Sequence, residues 1–203
     1  MNLLSSRRRA SAVAVALAFG LVACGRSGSD VATDTAAGTL AGDSHVAGMD
    51  HSMMGAPDRP APRDADQEFL RMMSDHHEGL IEMASAAVTG GSSSEIKADA
   101  RRLKETQERE QKQMMDMLRN AYGEELQPHM MPGNMAMHDS LQPHLGDAYD
   151  RTFYEMVVKH HREGIRMMDD FGPRVRRPEV KRMLEEMRAN QLRDIGDLEE
   201  KPR

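Results

Sequence analysis

Apolar positions recur every three or four residues through most of this chain beyond residue 65, and no run alternates with the two-residue period of a strand. The spacing predicts helices over about 66–89, 95–119, 148–170 and 178–200. Setting Phe69 at zero and turning ~100° per residue puts Met73 near ~40°, His76 near ~−20°, Leu80 near ~20°, Met83 near ~−40° and Ala87 back at zero. His76 is central in this continuous stripe and His77 lies on its flank. Asp64 or Asp66 is placed to cap the first helix, Gly90 and Gly91 to end it, and Ser94 to cap the second. The second stripe runs through Ile96, Ala100, Leu103, Met114 and Leu118, with Gln107 and Glu110 inside it. Inward polar groups are costly without partners, and folding the two helices about residue 92 sets His76 opposite Gln107 and Glu110. A carboxylate there can fix the imidazole tautomer, raise its basicity as a ligand, or join the coordination.

The pattern returns at an offset of 84 without a gap. Asp66, Phe69, His76, His77, Ile81 and Met83 recur as Asp150, Phe153, His160, His161, Ile165 and Met167. Ile96, Leu103, Gln107, Glu110 and Met114 recur as Val180, Met187, Gln191, Asp194 and Leu198. Two helical hairpins follow, 66–119 and 148–200, each with an apolar stripe too wide to leave in water. Packed face to face they predict an all-α four-helix bundle over 66–200, with His76 and His160 directed inward. Residues 120–147 connect the hairpins. Pro128, Pro132 and Pro143 interrupt any continuous helix there, so its methionines are not read as an apolar helical face.

The segment before residue 66 divides in two. Arg7-Arg8-Arg9 followed by an apolar run from Ala10 to Ala23 has the form of an export signal, too short for a comfortable membrane span. It ends in Leu21-Val22-Ala23-Cys24, which resembles a bacterial lipobox: cleavage after residue 23 leaves Cys24 to carry lipid and anchor the chain to a membrane. Cys24 is the one cysteine, so no intrachain disulfide can form. Gly25 rather than Asp after it favours sorting from the periplasmic side to an outer membrane, where the host has one. Residues 24–65 read as a Gly/Ser/Ala/Asp-rich tether. Loss of the leader's three Arg leaves 24 Lys+Arg against 33 Asp+Glu, a formal charge of −9. A nucleic-acid binder would want a basic face.

Methionine changes the picture further. With no Trp, four Phe and three Tyr the core needs Leu, Ile, Val, Ala and Met, yet nineteen Met, many beside His, exceed what gap-filling requires. The tether holds Met49, His51, Met53 and Met54 in a stretch too polar for a core. Its Met-Asp-His-Ser-Met resembles the Met/His segments of periplasmic copper-resistance proteins, and soft thioethers select Cu(I). The connecting segment holds His129, Met130, Met131, Met135, Met137 and His138, which either pack over the bundle or capture soft metal.

The His-His-x-Gly-x-Ile-x-Met-Ala segment at His76–Ala84, its variant at His160–Met168, and the pairs Gln107/Glu110 and Gln191/Asp194 resemble the bacterial domain-of-unknown-function family 305. The resemblance covers about 66–200 and implies a ferritin-like fold. Because some members are periplasmic copper-binding proteins, it also implies copper as a ligand. The second copy departs from the first in carrying Glu163 for Gly79 and Met168 for Ala84, which sets the two half-sites apart.

The expected function is an exported lipoprotein that binds Cu(I) or Cu(II) for sequestration or for transfer to copper-handling proteins. Candidate bundle ligands are His76, His77, His160 and His161, with Met72, Met73, Met83, Met156 and Met167 at helical spacings from them. His77 and His161 on the flanks, with the Met/His blocks outside the bundle, carry much of that expectation. The alternative is a metal-free bundle in which histidines, glutamines and acids form a structural polar layer. A di-iron oxidoreductase fits less well, since no His has a Glu three residues before it. No Gly-x-Ser-x-Gly or phosphate-binding glycine loop indicates another enzyme.

Overall fold

The computed structural model describes residues 59–201. The leader, Cys24 and the tether candidates Met49, His51, Met53 and Met54 lie outside the described residues. Among those described, the elements are α1 (Ala65–Gly90), α2 (Ser94–Tyr122), α3 (Pro132–Leu141), α4 (Gly146–Phe171) and α5 (Pro178–Glu199). Local chemistry accounts for the boundaries. Asp64 accepts a hydrogen bond from Gln67 N at 2.8 Å and caps α1. Ser93, not Ser94, caps α2 by accepting from Ile96 N at 3.3 Å. Gly123 ends α2 at φ 67°, a left-handed conformation that glycine adopts without a Cβ penalty.

The helices form two antiparallel hairpins, α1 with α2 and α4 with α5, and α1 packs against α4. The repeat is visible in how the hairpins interlock. Asp66 in the first turn of α1 accepts from Arg176 N at 3.1 Å and Arg177 N at 3.0 Å, pinning the α4–α5 turn. Asp150, its counterpart in α4, accepts from Ser92 N at 2.9 Å and Ser92 Oγ at 2.6 Å, pinning the α1–α2 turn. Each hairpin thus closes the loop of the other.

The connecting segment holds a helix that the proline pattern did not indicate. Pro132 occupies the first turn of α3, where its missing N–H costs nothing and its fixed φ favours a helical start. Proline therefore initiates this element instead of preventing it. α3 lies across α1 and α4, and its Met137 and Leu141 are buried, so these two do form an apolar helical face.

The bundle interior is divided. One apolar cluster gathers Phe69, Met73, Met114, Leu118, Phe171 and Met187; the other gathers Leu80, Met83, Ile96, Leu103, Phe153 and Leu198. Burying a side chain of this size contributes about 1.5–3 kcal/mol. Between the clusters each long helix carries polar residues instead: His76 and His77 on α1, Gln107 and Glu110 on α2, His160 and His161 on α4, Gln191 and Asp194 on α5. None of the described helices is long and apolar enough to cross a membrane.

Candidate functional site

The polar layer is centred on two stacked imidazoles. The His76 and His160 rings lie 3.8 Å apart between centroids, and His160 Nε2 is 2.9 Å from the carbonyl oxygen of His76. A carbonyl only accepts, so His160 carries its proton on Nε2 and presents an Nδ1 lone pair. His76 and His160 are held neutral well below the ordinary histidine range, chiefly because burial disfavours the charged ring and then because the neighbouring histidines repel added charge.

His77 and His161 flank the stack and meet the acids. His77 Nε2 is 3.1 Å from Glu110 Oε2, and His161 Nε2 is 3.4 Å from Asp194 Oδ2, within ion-pair reach but outside hydrogen-bond geometry. Both rings are fully buried, because the flank of the stripe where they lie is covered by a neighbouring helix. The structure reassigns the acid: Glu110 contacts His77, not His76. A flank position at the α1–α2 contact faces the neighbouring helix, and the central position faces α4. Burial pushes the Glu110 carboxyl up, but bonding by His77 and the 3.0 Å bond from Asn190 Nδ2 outweigh it and hold the group below its ordinary range. Burial likewise raises Asp194, and His161 with Arg102, whose Nη1 donates at 2.7 Å, brings it below the ordinary value.

The layer is rich in unsatisfied groups. Both ring nitrogens of His76 and His161, Nδ1 of His77 and His160, Oε1 of Gln107, and Oε1 and Nε2 of Gln191 are buried without a hydrogen-bond partner. Such atoms cost about 1–3 kcal/mol each until something binds them. Among the described residues no three His, Cys, Asp or Glu side chains converge as a ready metal cluster. The layer supplies two carboxylates, Glu110 and Asp194, where a bundle di-iron centre uses four.

The methionines distribute on either side. Met72, Met73 and Met167 pack in the cluster beyond one face of the layer, and Met83, with half-buried Met156, in the cluster beyond the other. Met131 and Met137 are core residues, one in each cluster, and so are not free loop ligands. Met130 and His138 are half-buried, and Met135 is 52% exposed. His129 leaves the bundle axis altogether, its Nδ1 lying 2.8 Å from Arg59 Nη2.

Four participants escaped the sequence reading. Asn134 of α3 is buried and donates from Nδ2 to the His76 carbonyl at 3.2 Å. Gly79 makes room for it: a Cβ there would lie 2.4 Å from Asn134 Nδ2. The other two, Asn190 and Arg102, reach between α2 and α5 to hold each other's acids. Gly79 was visible as a departure within the repeat, but long-range partners such as Asn134 leave no periodic signal.

Comparisons with known proteins bear on this arrangement. The structure resembles CopM in its Cu(I)-bound form at 26% identity, covering 66% of this chain and 92% of that one with a TM-score of 0.57. The Cu(II)-bound form of CopM matches at 27% identity over 66% and 93% of the two chains, TM-score 0.58. A DUF305 protein from Streptomyces coelicolor shares the fold at 22% identity, over 68% and 91%, TM-score 0.59. No curated protein matches the sequence. The family described as domain of unknown function (DUF305) matches residues 25–118 and 66–201, and with the doubled His-His motif folded as two interlocked hairpins, this chain belongs to the DUF305 family.

Proposed function

We propose that the protein is an exported copper-binding lipoprotein that takes up Cu(I) or Cu(II) for sequestration or for transfer to other copper-handling proteins. The observation that carries this reading is the orientation of the buried rings. A metal-binding histidine usually donates its other N–H to a carboxylate or a backbone carbonyl, which fixes its tautomer. His77 makes such a bond to Glu110 and His160 to the His76 carbonyl, and in both rings Nδ1 is without a partner. Neutral imidazole is the ligand form, and burial keeps His76 and His160 neutral. CopM, which has been solved with Cu(I), Cu(II) and Ag, supports the choice of metal. The basic-apolar leader ending at Cys24 supports export and lipid anchoring.

A second reading has its own observation. Stacked rings at 3.8 Å do not point their lone pairs at a common centre, which favours a structural polar layer that fixes hairpin pairing. Thermal unfolding of the mature chain, residues 24–203, with and without one equivalent of Cu(I) or Cu(II) separates the two. Metal held by the bundle binds the folded chain alone and raises Tm. A rise in Tm that is lost when His76, His77, His160 and His161 are all replaced by Gln supports a bundle site. Copper binding without that loss makes the layer structural, and no copper binding in any form overturns the reading entirely.

A further inference from the structure

The two long sides of the histidine layer are closed differently. On the α1–α4 side α3 lies across the helices, with Asn134 buried against the His76 carbonyl. On the α2–α5 side the helices do not pack closely, and side chains bridge them: Asn190 of α5 donates to Glu110 of α2, and Arg102 of α2 donates to Asp194 of α5. The repeat does not relate these bridges, because the residues equivalent to Asn190 and Arg102 at the offset of 84 are Thr106 and Glu186. One acid is held by a neutral amide and the other by a cation.

That cation stands between solvent and the layer. The Arg102 side chain is 46% exposed, and its Nη1 lies 2.7 Å from Asp194 Oδ1. The other oxygen, Oδ2, lies 3.4 Å from Nε2 of His161, a fully buried ring with neither nitrogen hydrogen-bonded. A single carboxylate thus spans the distance from a guanidinium in water to an unpartnered imidazole in the core. A buried carboxylate is costly without a positive partner, and this partner sits on a long stem that can swing away. Asp99 and Asp197 also act on the Arg102 charge, so a guanidinium that leaves Asp194 remains among acids. Asp99 is already engaged by Tyr154 and Lys201.

We propose that Cu(II) enters the histidine layer through the α2–α5 seam, with Asp194 and His161 as the first groups to hold it and Arg102 as a tethered cation that it displaces. The inference rests on the copper reading and assigns it an entrance and a gate. Imidazole nitrogen beside carboxylate oxygen suits a divalent ion, and Cu(II) binds such donors more strongly than the other first-row metals. One cation replaces another on Asp194, so the carboxylate is never left buried without a positive partner. Arg102 therefore competes with the metal and sets both its rate of entry and its apparent affinity. Glu110 offers no such exchange, since His77 and Asn190 hold its two oxygens and neither is a surface cation.

The test mixes the mature chain with Cu(II) in a stopped-flow cell and follows tyrosine fluorescence. All three tyrosines belong to α2 or α4, so quenching reports on the bundle. Competition with a chelator gives Kd, and EPR of the one-equivalent complex reports the ligand nitrogens. Arg102→Leu keeps an apolar stem and removes the competing charge. It should speed association and tighten binding about three- to tenfold. Arg188→Leu removes the same charge from the exposed pair with Asp169 and should change either by less than about 1.5-fold. Asp194→Asn should weaken binding at least about tenfold, and in that background Arg102→Leu should add less than about twofold. His161→Gln, confirmed folded by circular dichroism, should remove one nitrogen coupling from the EPR spectrum. Arg102→Leu that gains no more than Arg188→Leu overturns the gate, and an EPR spectrum unchanged by His161→Gln overturns the entrance, while copper binding elsewhere stands in both cases. A chain that binds Cu(I) but not Cu(II) overturns this inference alone, and one that binds neither overturns the copper reading with it.

Discussion

The two hairpins have the same skeleton and differ in how tightly each holds its flanking histidine. In the first, the longer Glu110 side chain reaches His77 at 3.1 Å while Asn190 holds its other oxygen. In the second, the shorter Asp194 stops 3.4 Å from His161 and turns an oxygen to Arg102, a residue 46% exposed. One methylene separates a carboxylate bonded to groups inside the bundle from one, also buried, that is shared with a half-exposed arginine. His77 is therefore set in one orientation with Nδ1 free, whereas His161 has neither nitrogen hydrogen-bonded. A duplicated motif has become one half whose flanking histidine is held by a hydrogen bond and one whose flanking histidine is not.

The largest expected effect concerns what the halves still share. His76 and His160 are both neutral when folded, with values well below those they have unfolded. The unfolded chain therefore binds protons that the folded chain refuses. Their stabilisation is complete above the unfolded value near ~6.5 and is lost as pH falls toward the folded one, by up to about 1.4 kcal/mol per pH unit for each ring. Urea titrations of the metal-free chain below pH 6.5 should show this slope. Either His76→Gln or His160→Gln should remove about half of it, and unequal slopes for the two variants would break the equivalence of the stacked pair.

The acids come next. Glu110→Leu leaves the buried His77 Nε2 without a partner and removes the acceptor of half-buried Asn190 Nδ2, and should cost about 2–3 kcal/mol. Asp194→Leu should cost about 1 kcal/mol, since Arg102 can turn to water and His161 gives up no hydrogen bond. Equilibrium denaturation at pH 7.5 measures both, and equal losses would show that the 3.4 Å contact matters as much as the shorter one.

How much of this was legible follows the range of each interaction. The offset of 84, the stripes and the inward Gln and acid positions are periodic, and periodicity survives translation into helices. Two points failed for physical reasons. Pro132 was read by its general effect on helices, although at a first turn that effect reverses. The acid was matched to His76 by treating the stripe centre as the α1–α2 contact, but α1 also serves α4, so the centre faces His160 and the flank faces Glu110. Asn134 and Arg59 act across 58 and 70 residues, to His76 and His129 respectively, and no local pattern announces such pairs.

Gly79 and Glu163 occupy equivalent places in the repeat, and they offer the sharper tests of asymmetry. A methyl group at Gly79 would fall 2.4–2.6 Å from the Nδ2, Cβ and Cγ atoms of Asn134. The Asn134 Cβ is fixed to the α3 backbone, so the helix itself must move. Gly79→Ala should cost about 2 kcal/mol by overpacking and raise amide exchange across 132–141. Unchanged exchange there would show that α3 yields without being displaced.

Glu163 should have the smallest effect and the opposite sign. Burial is the main cause of its raised pKa, and Lys159 and Arg166 offset it only in part, with the nearest Arg166 nitrogen 4.0 Å away. A carboxyl whose value is raised on folding binds its proton more tightly in the folded chain. Ionised Glu163 therefore costs stability at neutral pH, and the cost fades as pH falls through the folded value. Glu163→Gln keeps the shape and removes the charge. It should stabilise the protein at pH 7 by no more than about 0.5 kcal/mol, because a partly exposed carboxylate is screened by solvent, and the gain should vanish in acid where wild type is protonated. A loss of stability at pH 7 would mean that the charge is held by a partner the folded chain needs. The replacement of glycine by glutamate would then be a second, bonded half-site, not a tolerated drift from the first.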